Sequence, residues 1–139
     1  MKKLNIPIFA LAIALCFLTG WYVFGRSDFD AQAIAATPTT IRFEKDTLLL
    51  GTLKYGTRHE AVFRFTNTGT TPLLIHNVVP SCDCTAVKWK KRPIKPGESG
   101  EIQTEYSPNS LGMFIKNIEV HCNVPGHKIN LKIRGNVIE

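Results

Sequence analysis

Two cysteines separated by one residue, Cys82 and Cys84, are the residues of this sequence best suited to chemistry. Thiolates are soft ligands for Cu(I) or zinc, and residues two apart in an extended segment project to the same side. A structural zinc ion needs about four ligands, and His121 and Cys122 would complete such a set if their strand passes this loop. The sequence therefore predicts a candidate copper or zinc site at Cys82, Cys84, His121 and Cys122.

A disulfide is the structural alternative for the same cysteines. Export places thiols in an oxidising compartment, and a bridge from Cys84 to Cys122 would close a loop of about 38 residues, worth roughly 4 kcal/mol in the chain-entropy model. A bridge between Cys82 and Cys84 would close a small, strained ring that is easily reduced. Cys122 also shares the apolar phase of Ile118 and Val120, as a buried core thiol would. Structural thiols, metal binding, and redox exchange or an intermolecular bridge all stay open here.

Catalytic constellations are missing from the sequence. It contains no Gly-rich phosphate loop, no Gly-x-Ser-x-Gly elbow and no His-Glu-x-x-His helix. A nucleophile made from Cys84 and His121 would lack a third, orienting group. The net charge of +6 is scattered, and its one cluster, from Lys88 to Lys95, has no nucleic-acid motif. We therefore expect no catalytic residue, no organic cofactor and no nucleic-acid partner.

Residues 1–26 have the features of a membrane anchor or signal segment. Lys2 and Lys3 precede an uncharged, mostly apolar stretch from Ile6 to Phe24, which as a helix would span about 28 Å of the ~30 Å bilayer core. That length favours an uncleaved anchor, with secretion after signal cleavage as the alternative. The lysines are expected to stay cytoplasmic. The sequence thus predicts a single-pass protein of the cytoplasmic membrane, with its C-terminal part in the periplasm or outside the cell.

Residues 27–37 read as a linker, and residues 38–139 read as one domain with alternating apolar and polar residues. Pro96-Gly97 suits the centre of a type II turn. Short strands separated by such turns predict an all-β, Ig-like antiparallel sandwich behind the N-terminal segment. The alternation predicts strands at 41–44, 61–66, 101–106, 117–122 and 129–134.

An ordered set of motifs covers most of this domain. It comprises Phe63-Arg64-Phe65-Thr66-Asn67-Thr68-Gly69, Ser81-Cys82-Asp83-Cys84-Thr85, and a proline- and glycine-containing stretch at 93–102, and it continues through Gly112 to 133–137. The set resembles a bacterial family catalogued as domain of unknown function 1573. The resemblance implies an Ig-like sandwich akin to Hydin-type domains, usually exported or membrane-anchored, with no established activity. The family usually has glycine in place of Asp83 and no cysteine in place of Cys122, so any role of Cys122 would be particular to this chain.

These features together predict a module that works by binding. We expect an exported, membrane-anchored Ig-like domain that contacts the membrane through residues 6–24 and an envelope protein or glycan through its sandwich. The alternative is a small metal-binding or thiol-redox protein that uses Cys82 and Cys84. A shared sandwich fold does not decide between these two classes.

Overall fold

A computed structural model describes residues 13–20 and 33–139 of the chain. Residues 13–20 are helical. Within the described ranges, no helix combines the length and the apolarity needed to cross a membrane. The other residues of the predicted anchor, 6–12 and 21–24, lie outside the described ranges, so the anchor stays a prediction.

The compact unit that contains the sandwich runs from Ile34 to Glu139. Its first residues, 34–37, were assigned to the linker from the sequence. They are tied to the domain by Asn123, which is buried and whose Nδ2 lies 3.0 Å from the carbonyl of Ile34 and 2.8 Å from that of Thr37. The compact unit therefore includes residues 34–37 as well as the predicted domain.

Within residues 33–139, eight strands form two four-stranded sheets that enclose one core. The all-β sandwich predicted from the sequence is confirmed. One sheet has the order β1-β3-β6-β5 and the other has the order β2-β8-β7-β4. The strands are β1 (Ile41–Phe43), β2 (Thr47–Lys54), β3 (His59–Asn67), β4 (Ile75–Pro80), β5 (Thr85–Trp89), β6 (Ser99–Tyr106), β7 (Gly112–Cys122) and β8 (Lys128–Ile138).

The expectation of a purely antiparallel sandwich needs one correction. β2 pairs with β8 in parallel, whereas the other strand pairs within the two sheets are antiparallel. Parallel pairing is possible here because a long stretch of chain separates β2 from β8 and can carry it across the domain.

The register of β3 follows the predicted alternation. Ala61, Phe63 and Phe65 are buried, and Val62 and Arg64 are exposed. Since successive side chains of a strand point to opposite faces, the first three project between the sheets. They meet core residues from both sheets, among them Ile102, Ile118, Val120, Leu131 and Ile133, and the core residues Leu73 and Ile94, which form an isolated bridge outside the strands.

The predicted type II turn between β5 and β6 is confirmed. Glu98 donates its backbone N–H to the carbonyl of Lys95 at 2.9 Å, and Gly97 has a positive φ of 77°. The Glu98 carboxylate also pairs with Arg92, and this hydrogen bond is the largest of the causes that lower the pKa of Glu98 to about 2. The turn is thus stabilised in two ways: Gly97 accommodates the positive φ, and the Arg92–Glu98 ion pair holds its last residue.

Candidate functional site

The loop between β4 and β5 holds Cys82 and Cys84, which are joined to each other by a disulfide. Both residues are half-buried, and Asp83 between them is exposed. Cys122, the other candidate for a bridge, is a free thiol only 1% exposed in the core. The Cys84–Cys122 bridge considered from the sequence is therefore not the pairing found in the structure.

Backbone hydrogen bonds fasten this loop to both sheets. On one side Ser81 donates its N–H to the carbonyl of Asn117 in β7, at 2.8 Å. On the other side the carbonyl of Cys84 accepts the N–H of Ser107, which follows β6, also at 2.8 Å. The loop is held at the end of the sandwich by contacts that do not involve sulfur.

The two sulfur-bearing residues have different surroundings. Cys84 packs against the hydrophobic core, whereas Cys82 lies outside that cluster. The Sγ of Cys82 lies 3.7 Å from the Oγ1 of Thr85, a residue only 3% exposed, and the N–H of Thr85 bonds to the carbonyl of Cys82 at 3.2 Å. Cys82 is therefore the half of the pair that has a hydroxyl neighbour.

The four residues predicted as metal ligands are not gathered in one place. Cys122 pairs in register with Ile75 and faces the core, and His121 points to the opposite face, where its Nε2 lies 3.4 Å from Glu119. In the part of the chain that the structure describes, no group of three or more histidine, cysteine or acidic side chains could hold a metal ion. A copper or zinc site would therefore rest on Cys82 and Cys84 alone, after reduction of their disulfide.

Cys122 is expected to be inert until the domain unfolds. Burial raises the pKa of its thiol from 9.0 to about 11. A pKa raised by folding stabilises the fold fully below about pH 9 and loses that contribution as the pH rises through about 11. We expect native protein to resist iodoacetamide at Cys122 and to be labelled there only after unfolding in urea. Denaturant midpoints should fall more steeply above pH 9 than in a Cys122→Ala variant, and equal slopes would contradict this.

A second surface lies on the outer face of the β2-β8-β7-β4 sheet. Three apolar side chains, Leu49, Met113 and Ile115, are 68%, 91% and 64% exposed; we call them the apolar edge patch. They line one open groove together with Arg134 and Asn136 of β8. Arg134 lies between Leu49 and Ile115 in this groove. Exposed apolar side chains rimmed by polar residues commonly mark an interaction site.

Two members of the apolar edge patch, Met113 and Ile115, lie on a length of β7 that no described strand pairs with on the β4 side, whereas Leu49 lies on β2 at the other edge of the sheet. β4 ends at Pro80, opposite Ile118, whereas β7 begins six residues before that point. Asn117 bonds toward β4 through its backbone. Along an antiparallel strand, the backbone N–H and C=O groups of successive residues point alternately to the two neighbouring strands. Met113 and Ile115 are an even number of residues from Asn117, so their N–H and C=O groups also point to the β4 side of β7. No described residue pairs with them there.

Sequence reasoning missed this surface, although a signal was present. Met113, Phe114 and Ile115 form an apolar run that breaks the alternation seen further along β7. Phe114 points inward and is 9% exposed, so the residues on either side of it must point outward. Apolar residues at the outward-facing positions of β7, Met113 and Ile115, could therefore have indicated this surface from the sequence.

Solved structures with a similar fold include a bacterial protein of unknown function, a human PapD-like domain and a chaperone. A protein of unknown function from Porphyromonas gingivalis W83 has a TM-score of 0.65 and 22% identity, over 73% of this chain and 48% of that one. The ASH/PapD-like domain 7 of human CEP192 has a TM-score of 0.61 and 15% identity, over 73% and 87%. The YadV chaperone has a TM-score of 0.54 and 13% identity, over 71% and 52%. At these identities the likeness shows the fold alone.

The sequence comparisons give one family match that covers most of the sandwich. No curated protein matches the chain, and the chain spans about half the length of the Porphyromonas gingivalis protein. Residues 41–137, which include the disulfide loop and all but the ends of the sandwich, match the family described as "Protein of unknown function (DUF1573)". This protein therefore belongs to the DUF1573 family.

Proposed function

We propose that this protein is a non-enzymatic binding module of the cell envelope that takes up an extended segment of a partner protein at the uncovered edge of β7. The observation that supports this is the apolar edge patch beside the unpaired backbone of Met113 and Ile115. Natural sheets usually protect an exposed edge with charges, proline or a covering element. Here the uncovered edge carries apolar side chains instead.

An added strand satisfies both parts of this surface at once. Its backbone pairs with the outward N–H and C=O groups of Met113 and Ile115, and every second side chain of the segment packs beside the patch. Arg134, opposite Ile115 in the register of β7 and β8, lines the same groove and favours a carboxylate on the segment. A glycan lacks the backbone amides for such pairing, so a peptide fits better than the glycan that the sequence left open.

Membrane attachment completes the proposal. The stretch from Ile6 to Phe24 would hold the sandwich at the outer side of the cytoplasmic membrane, where its partner is another envelope protein. The chaperone named among the similar structures supports the proposal only through the shared sandwich, because a fold does not determine function.

Site-specific photo-crosslinking in intact cells that produce the full-length protein tests the proposed edge. A benzophenone amino acid at position 113 should capture one envelope protein through an extended segment, whereas the same probe at Val62, on the other sheet, should not. With the benzophenone amino acid placed at position 49 instead, the substitutions Met113→Lys and Ile115→Glu should each abolish crosslinking to that envelope protein. Equal capture from positions 113 and 62, or crosslinks to lipid alone, would overturn the proposal.

A backbone substitution separates strand addition from simple apolar contact. Ile115→Pro removes an N–H that is unused within the sandwich, so the thermal midpoint should change little. The variant should nevertheless weaken capture about fivefold, the effect of one lost hydrogen bond of about 1 kcal/mol. Lys116→Pro is the matched control, because its N–H points to β8 and its loss should destabilise the sheet. Unchanged capture by Ile115→Pro would rule out strand addition.

A further inference from the structure

We propose that the Cys82–Cys84 disulfide is a thiol–disulfide exchange site for protein dithiols, in which Cys82 forms the mixed disulfide and Cys84 is the leaving thiol. This site lies in the β4–β5 loop and is independent of the binding edge on β7. Three features carry the inference: the loop is fixed without the disulfide, the two cysteines are unequally shielded, and one sulfur has a buried hydroxyl beside it.

The disulfide adds little to the framework that surrounds it. Cys82 and Cys84 are two positions apart, and in the chain-entropy model the stabilisation from a bridge grows with the length of the loop that it closes. The same turn is already closed by the backbone hydrogen bond from Thr85 to Cys82, and its ends are bonded to β7 and to the residue after β6. Opening the disulfide therefore leaves the sandwich folded, which a reversible redox site requires.

Unequal shielding decides which sulfur reacts. Both cysteines are half-buried, but only Cys84 packs against the hydrophobic core, so its sulfur is covered on the core side. Attack on a disulfide needs access to one sulfur along the sulfur–sulfur axis. An incoming thiolate therefore reaches Cys82, and the more shielded Cys84 leaves.

Thr85 supplies a reason for Cys82 to be the thiolate of the reduced form. Its Oγ1 is 3.7 Å from the Sγ of Cys82, and the Thr85 side chain is buried at the start of β5. A hydroxyl that donates to a thiolate stabilises the charged form over the neutral thiol. Thr85 is thus a positioning residue for the exchange.

The exchange conserves atoms and electrons in two displacements. A thiolate of the partner dithiol attacks the Sγ of Cys82, a new sulfur–sulfur bond forms, and the Cys82–Cys84 bond breaks, with Cys84 leaving as a thiolate that takes a proton from water. The second partner thiol, once deprotonated, then attacks the partner sulfur of the mixed disulfide. The partner becomes a disulfide, and Cys82 is released as a thiolate. Two electrons pass from the partner to the loop, and the reverse sequence returns them.

Glutathione redox buffers and the full-length chain test this proposal. In wild-type protein, the loop disulfide should open in buffers of reduced and oxidised glutathione while the circular dichroism of the sandwich is unchanged. Peptide mapping by mass spectrometry should find glutathione on Cys82 of a Cys84→Ser variant, formed several-fold faster than on Cys84 of a Cys82→Ser variant. Thr85→Val should slow the first reaction, and Thr85→Ser, which keeps the hydroxyl, should restore it.

Each alternative has a distinct readout. If the disulfide stays closed in every glutathione buffer, or if the sandwich unfolds when it opens, the disulfide is structural and the proposal fails. Equal rates of glutathione uptake by the two cysteine variants would overturn the assignment of Cys82. A Thr85→Val variant as fast as wild type would overturn the role of the hydroxyl. None of these measurements depends on the β7 edge, so the binding proposal stands or falls separately.

Discussion

Phe63→Ala is expected to lower the free energy of unfolding by about 3–5 kcal/mol, the usual cost of removing a buried aromatic side chain. Phe63 is 1% exposed, and its register partner in β6, Ile102, is 0% exposed. Neighbours packed this tightly relax only partly, so the truncation loses apolar burial and leaves a cavity.

Urea unfolding followed by circular dichroism measures this loss as a shift of the midpoint at constant slope. Val62→Ala is the matched control, because Val62 is the next residue of the same strand and is 38% exposed. The control should cost less than about 1 kcal/mol. If Phe63→Ala cost no more than Val62→Ala, the assigned register of β3 would be wrong.

Asn67→Ala is expected to destabilise the domain by about 2–5 kcal/mol, although it removes no apolar surface. Asn67 is 0% exposed at the end of β3. Its Oδ1 accepts from the hydroxyl of Thr39 and the N–H of Gly69, and its Nδ2 donates to the carbonyls of Thr71 and Ile94. Alanine leaves these groups without their partner, and a buried polar group left unsatisfied costs about 1–3 kcal/mol.

The comparison for Asn67 is Asn130→Ala, at an exposed position of β8. That variant should unfold within about 0.5 kcal/mol of wild type. Thermal and urea unfolding of both variants, with circular dichroism of the native state, measures the two losses of stability. A loss for Asn67→Ala alone shows that the buried hydrogen bonds matter, whereas equal losses would mean that any asparagine replacement destabilises the domain. A cost for Asn67→Ala below about 1 kcal/mol would mean that water replaces the carboxamide.

The sequence predicted the strands in which one face is buried and the other is exposed to solvent. Phe63 and Phe65 alternate with Arg64 in β3, and the structure confirms that register. β2 was missed for a physical reason: the register shifts between Leu49 and Gly51, so the core-facing phase changes along the strand. A bulge of this kind removes the period of two from the sequence while keeping the strand.

The candidate site was predictable in place but not in pairing. The Cys82–Cys84 loop was identified from the spacing of its thiols, and the structure puts it at a surface of the sandwich. Whether Cys122 could reach it depended on the register of β4 against β7, which sets Cys122 opposite Ile75. Local sequence does not specify that register, because it arises from which apolar residues meet across the core.

The parallel pairing of β2 with β8 has a consequence for the order in which the domain assembles. Residues 47–54 find their sheet partner only at residues 132–138, so this contact closes a loop of most of the domain. Contacts of such high sequence separation slow folding, because the chain loses conformational entropy in closing the loop before the strand pairing contributes any stabilisation. During synthesis from the N-terminus, β2 therefore waits without its neighbour until the last strand has emerged. The finished sandwich is therefore a product of the completed chain, because the sheet that contains β2 cannot form around it before β8 is present.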